Sequence, residues 1–247
     1  MTNRKILVFG RHGIAPQTSE GSVDALIPQS VTALYQNVGV PLQAEIVEAG
    51  ITQDRTYLVH SPRVRTRYTG QSVIAGALSL VPISGNNPPT SQEDLARYDF
   101  SGIENFVDDR LNFGEPFINM PHYKAAGNVA TAAVNYWLSH PDATEHDGAA
   151  IESYTSIRER TSRAVGDALT RLLRDEKDFG VLVSHSGLPE AMMISLLSGY
   201  KGIEVTSCDQ IGGPFRMEDF ARVVIDINQG RSVARIERNG DIYNIVI

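Results

Sequence analysis

The chain is poor in the residues that staple, anchor or thread a protein. It has one cysteine, Cys208, in 247 residues, which excludes an internal disulfide framework and makes a reducing compartment the simpler setting. No stretch approaches the ~18 consecutive apolar residues that a membrane span needs. Arg4 and Lys5 precede an apolar run, but Ile6–Phe9 is too short for the core of a signal peptide and is interrupted by Arg11 and His12. The expectation is a cytoplasmic protein without membrane contact. Positive charge is also scarce, with 22 Lys and Arg against 29 Asp and Glu and a net charge of −7. That balance argues against non-specific binding of nucleic acid, and any anionic ligand must be drawn in by a local basic site. Neither a Gly-x-x-x-x-Gly-Lys loop nor Gly-x-Gly-x-x-Gly occurs, so the two common nucleotide-phosphate cradles are absent. There is no internal repeat and no linker long enough to divide the chain. One domain over residues 1–247 is expected.

What is present is an ordinary globular composition, 42% apolar and 21% charged, on a chain long enough to bury a large core. Three short apolar runs read as buried parallel strands: Ile6-Leu7-Val8-Phe9, Tyr57-Leu58-Val59 and Val181-Leu182-Val183. Helical patterns follow each of them. They span Pro28 to about Gln36 with Gly39 as a stop, Pro62 to about Leu80 behind a Ser61 N-cap, and Pro189 to about Leu197. Glu152 to about Arg174 reads as a long helix, and Glu45–Val47 as a short strand. The tail reads as three strands, Ala221–Ile227, Val233–Glu237 and Asp241–Ile247, punctuated by Asn228-Gln229-Gly230 and Asn239-Gly240. Residues 84–150 are irregular apart from a helix from about His122 to Leu138, and are expected to form an inserted lid over one face.

The three core strands end in matching chemistry. The first ends in Arg11-His12-Gly13, the second in His60-Ser61-Pro62 with Arg65 a turn later, and the third in His185-Ser186-Gly187. Parallel strands of one sheet deliver their carboxyl ends to one edge, where open α/β sheets bind ligands. Guanidinium forks and helix-start N–H groups both favour a tetrahedral anion. A neutral imidazole in such a pocket can act as a nucleophile towards phosphorus. Arg65 is preferred to its neighbours because it lies about 200° round the helix from Arg63, which shares a face with Arg67. Arg63 and Arg67 are then surface charges.

These motifs resemble the histidine phosphatase superfamily, the phosphoglycerate-mutase-like proteins. Arg11-His12-Gly13 is similar to its hallmark triplet, and Ser61-Pro62-Arg63-Val64-Arg65 with Thr69 is similar to its Ser-Pro-x-x-Arg segment. Val183-Ser184-His185-Ser186-Gly187 is similar to its second histidine motif. Leu26-Ile27-Pro28-Gln29-Ser30 and Glu152-Ser153 are weaker echoes. The resemblance implies a three-layer α/β/α fold with a mainly parallel sheet, here with an inserted lid and a C-terminal antiparallel β addition. It implies that His12 attacks phosphorus while Arg11, Arg65 and His185 stabilise the equatorial oxygens, with no metal or other cofactor. Thr18 stands where many members carry a phosphate-contacting asparagine, and Ser186 follows the second histidine. Both are expected at the phosphate.

The sequence departs from the family at the leaving-group acid. In Leu95-Ala96-Arg97-Tyr98-Asp99-Phe100-Ser101-Gly102-Ile103-Glu104, the family's Leu-x-Glu glutamate is Arg97. Asp99 is the nearest replacement, with Glu104 and Glu93 behind it. The expected activity is hydrolysis of small phosphomonoesters through a phosphohistidine on His12. A mutase is the first alternative, weakened because Ile14-Ala15 and Gln17-Thr18 stand where mutases carry Glu-Ser and Trp-Asn. A catalytically weak phospho-ligand-binding protein is the second. His60 could line the pocket or support it through a hydrogen bond. His140 and His146 with Asp142, Glu145 and Asp147 lack an i, i+4 pair and read as a solvated loop, not a metal site.

Overall fold

A computed structural model describes residues 3–18, 21–83, 88–112, 129–146, 148–228 and 231–245. Its main sheet has seven strands: β1 (Asn3–Arg11), β2 (Thr56–His60), β3 (Glu104–Val107), β4 (Phe179–Ser184), β5 (Phe220–Asn228), β6 (Arg231–Arg238) and β7 (Asp241–Ile245). The spatial order is β7-β6-β5-β1-β4-β2-β3. The strands β1, β4, β2 and β3 are mutually parallel, whereas β5, β6 and β7 are added by antiparallel pairing. The sequence-based expectation of a parallel core with an antiparallel C-terminal addition therefore matches the sheet.

Alternation along the buried strands divides the core in two. Ile6 and Val8 of β1, Leu58 of β2 and Val181 of β4 face one layer of helices. That layer comprises α1 (Pro28–Ala33), α2 (Gln43–Glu48), α3 (Val64–Ala77) and the short α4 (Gln92–Leu95). Leu7, Phe9, Tyr57 and Leu182 face the other layer. It is built from α5 (Val129–Ser139), α6 (Tyr154–Arg174) and α7 (Leu188–Lys201). The periodic positions Ile157, Thr161, Ala164, Val165, Ala168, Leu169 and Leu172 of α6 are all buried. Trp137 of α5 is fully buried against them.

Three expectations change. Glu45–Val47 is helical, because Leu42 and Ile46, four residues apart, are both buried on one face while Val47 is exposed. Gly39 does not stop the first helix, which continues through a π turn (Leu34–Gly39) and a 3-10 turn (Val40–Leu42) into α2. Pro41 lies in that tight turn, where its missing N–H is tolerated. Gly39 serves a different purpose. A Cβ there would meet Val73 O at 2.5 Å and Gly76 Cα at 2.9 Å, so two glycines let this helical run cross α3 at backbone contact. Finally, the stretch 84–150 supplies the edge strand β3 and the core helix α5. The predicted helix from His122 to Leu138 is described from Val129 onward, and the rest of that prediction lies outside the described residues.

Candidate active site

Strand register aligns the polar ends. Arg11 is paired with Ser184, and His60 with Val183, so His12, Ser61 and His185 leave the sheet side by side. Two backbone bonds extend the alignment past the strands: His12 N–H donates to Ser184 O (3.0 Å) and Ser61 N–H donates to Val183 O (3.3 Å). The rings of His12 and His185 then meet edge to face, with centroids 5.0 Å apart and planes at 64°. Both are buried. The structure thus brings His12, Arg11, Arg65 and His185 to one edge.

Hydrogen bonds set the state of the imidazoles. His12 Nδ1 lies 2.6 Å from Gly13 O, and because a carbonyl only accepts, Nδ1 carries the proton and Nε2 the lone pair. His185 Nε2 lies 2.8 Å from Ser61 Oγ, which also contacts Thr66 Oγ1 at 3.0 Å. Burial, reinforced by the charge of Arg65 and then Arg11 against the opposing Gly13 carbonyl, pushes the His12 pKa down to about 3. Burial, then neighbouring His12, Arg65, Arg63 and Arg11, holds His185 well below the ordinary histidine value. Two neutral imidazoles therefore sit in a cationic pocket at neutral pH.

The helix start behind this pocket differs from the expectation. Ser61 does not cap α3; its hydroxyl turns to His185 and Thr66. The first free amides of α3, Val64 N–H and Arg65 N–H, donate to the two carboxylate oxygens of Asp24 at 3.0 and 3.1 Å. Donors expected for an anionic ligand are thus already taken by a side chain forty positions away. The Asp24 charge also bears on His12 and Arg65. Thr69 links the same helix to the first motif, accepting from Gly13 N–H (3.0 Å) and donating to Arg65 O (2.8 Å). Ser30 supports the next residue by accepting from Ile14 N–H at 2.9 Å, and it donates in turn to Glu218.

Other predicted residues fall elsewhere. Asp99 is exposed at the opposite end of the sheet, where its carbonyl accepts from Gln53 in the turn entering β2 and its carboxylate accepts from Ser101 N–H at 2.9 Å. Glu104 begins β3 at that same amino edge and pairs with Lys177 at 2.8 Å. Glu93 is exposed on α4. The parallel direction of β3 explains the placement: its carboxyl end, and the segment that reaches the candidate site's edge, begins at Asp108, whose N–H donates to His60 O at 2.9 Å.

Ser186 is buried, and its hydroxyl has no hydrogen-bond partner among the described residues. Thr18 lies in a small hairpin, Gln17–Thr18 against Gly21–Ser22, and its side chain falls outside the described residues. His60 is buried, with Nδ1 donating to Ser61 O at 2.6 Å, so it braces the strand end. Arg63 is exposed as expected, whereas Arg67 is half-buried over the Tyr68 ring. His140 and His146 pack on Tyr136, and no metal-ligating cluster occurs among the described residues. No described helix is long and apolar enough to cross a membrane.

Sequence reasoning missed Asp24 and a fully buried carboxylate, Glu190 on the first turn of α7. The partners of Asp24 are remote in the chain, so no local pattern marks it. Only the Glu three residues after Gly187 carried a signal, as half of a capping box.

No protein-family model and no curated protein sequence matches the chain. Solved structures do. A mycobacterial glucosyl-3-phosphoglycerate phosphatase in complex with VO3 aligns over 98% of this chain and 100% of its own, at 17% identity and a TM-score of 0.51. A structure titled mycobacterial hydrolase 1 covers 97% and 100% at 16% identity and 0.50. Another, mycobacterial hydrolase 2, covers 100% and 94% at 17% identity and 0.50.

Proposed function

The chain has the histidine phosphatase fold, and on that premise we propose that it is a phosphatase acting on small phosphomonoesters through a phosphohistidine at His12. One observation carries the reading. The lone pair of His12 is fixed on Nε2 by the Gly13 carbonyl, and the ring sits neutral between Arg11, Arg65 and His185. A neutral nitrogen nucleophile with cations on either side suits in-line attack on a phosphate dianion.

In the proposed cycle, Nε2 of His12 forms a bond to phosphorus as the ester P–O bond breaks. The bonding pair leaves with the alcohol oxygen. Arg11, Arg65 and His185 hold the three equatorial oxygens, on which charge redistributes. Water then attacks the phosphohistidine, and the P–N bond breaks so that Nε2 regains its lone pair. One proton of the water stays on the departing phosphate, and the other passes through solvent to the oxyanion released in the first step. That a structurally similar phosphatase was solved with VO3, whose three oxygens about one centre match a phosphoryl group in transfer, supports a phosphoryl ligand here.

With Asp99 and Glu104 at the amino edge of the sheet, aryl and acyl phosphates, which depart as stabilised anions, are the preferred substrates in this proposal. Hydrolysis of para-nitrophenyl phosphate, with an acid-labile, alkali-stable phosphoenzyme trapped on His12, is the expected result. Interconversion of phosphoglycerates without net hydrolysis would replace the proposal with a mutase. Phosphate binding without turnover of any ester would replace it with a phospho-ligand-binding protein.

A further inference from the structure

Glu190 is fully buried, yet nothing in the proposed cycle uses it. It stands at the third position of α7, where a glutamate commonly caps by reaching back to the N-cap amide. One of its oxygens does this, accepting from Gly187 N–H at 2.9 Å. An ordinary cap needs no more and stays at the surface. Here the second oxygen accepts from Phe215 N–H at 2.7 Å, across 25 positions of chain.

Those two amides belong to the two sides of the candidate site. Gly187 closes the turn two residues after His185, in a left-handed conformation with φ of 87°. Phe215 O accepts from Arg11 Nη1 at 3.4 Å, and the Phe215 ring stacks 3.7 Å beneath the guanidinium of Arg238. Arg238 in turn fixes the surrounding loop by donating to Gly213 O (2.7 Å), Pro214 O (2.9 Å) and Asp219 Oδ2 (2.7 Å). Asp219 O also accepts from Arg11 N–H at 3.2 Å. Burial pushes the Glu190 carboxyl above its ordinary value, and the amide donors together with the charges of Arg11 and Arg238 pull against that rise, so each oxygen is held by one amide and faced by cations.

We infer that Glu190 is a positioning residue: its two oxygens lock the Gly187 and Phe215 amides together and so fix His185 and Arg11 relative to one another. The inference rests on the phosphatase reading for its kinetic consequence, but the alignment itself is measurable without turnover. A carboxylate can accept from both amides, whereas an amide of the same shape must point its NH2 at one of them. An aspartate keeps the charge but is one methylene too short to span both.

The test uses the full chain with Glu190→Gln and Glu190→Asp. If both fold, as judged by circular dichroism and thermal unfolding, kcat for para-nitrophenyl phosphate should fall at least about tenfold while KM moves less than about threefold. Nitrogen NMR signals of the His185 ring and of Arg11 should also shift in the absence of substrate. Lower thermal stability with unchanged kcat and unchanged His185 and Arg11 signals would overturn the inference. Failure of both variants to fold would also overturn it, making Glu190 an element of the fold. If the wild-type chain hydrolyses no ester, the phosphatase reading fails, and the NMR signals alone decide for or against the alignment.

Discussion

Ser61 Oγ lies 2.8 Å from His185 Nε2, which joins the end of β2 to the end of β4. With His185 packed edge-on against His12, the three strand ends form one contiguous hydrogen-bonded and stacked unit. Its polar groups are oriented before any ligand arrives, and in the proposed phosphoryl transfer such preorganisation would lower the reorganisation needed as charge moves to the phosphoryl oxygens.

Replacement of His12 by Ala removes the proposed nucleophile while leaving both neighbouring arginines. Hydrolysis of para-nitrophenyl phosphate should drop by about a thousandfold or more, with inorganic phosphate still bound. Steady-state kinetics together with phosphate titration by calorimetry checks both halves of this expectation.

Arg65→Lys keeps a cation but loses the planar fork that matches two phosphoryl oxygens. A loss of about 1.5–3 kcal/mol of transition-state stabilisation, roughly 10- to 150-fold in kcat/KM, is expected. Arg63→Lys, at an exposed position, serves as the comparison and should change the rate by less than about twofold.

Asp99→Asn and Glu104→Gln should leave kcat within about twofold of the wild type, because both residues lie at the amino edge of the sheet. Glu104→Gln removes an ion pair with Lys177 in which the glutamate side chain is half exposed, so its effect on stability should stay below about 1 kcal/mol. A tenfold loss of kcat in either variant would put the leaving-group acid back at these positions.

Acid should destabilise the fold through its buried histidines. His12 has its pKa lowered from 6.5 to about 3, so the unfolded chain takes up the proton first as pH falls. Stability is unaffected above about pH 6.5, and between there and about pH 3 it declines by about 1.4 kcal/mol per pH unit for this group. His185 and His60, also lowered, act in the same direction. Denaturant unfolding at several pH values should show a shallower acid slope for His12→Asn than for the wild type.

Gly76→Ala places a methyl 2.5 Å from Tyr35 O and 3.0 Å from Gly39 Cα, both backbone atoms. The helices must separate to accommodate it, at a cost of about 1–3 kcal/mol. Thermal unfolding measures the loss, and Gly166→Ala, where a Cβ meets nothing within 4 Å, is the matched control.

The parts of this molecule legible in its sequence are those specified by neighbours in the chain. Ile6–Phe9 and Val181–Val183 are continuous apolar runs because their strands are covered on both faces, and the polar groups that follow them reach one edge because those strands are parallel. The strand Glu104–Val107 was not legible. It lies at the sheet edge with three of its four residues exposed, so it has no apolar run, and without it Asp99 and Glu104 are read onto the wrong end of the sheet. Asp24 and Glu190 escape for a different reason. Each is specified by an amide 25 or more residues away, and only the folded chain brings that amide within reach.

The Asp24 contact has a further consequence for how the site comes together. The first turn of α3 carries Arg65, but the carboxylate that completes this turn belongs to the loop leaving the Arg11-His12-Gly13 segment. The two walls of the cleft therefore share one hinge pin. Undocking the loop at Asp24 would leave the Val64 and Arg65 amides without their carboxylate, so under the phosphatase reading proposed above phosphate binding is expected to weaken whenever that loop undocks.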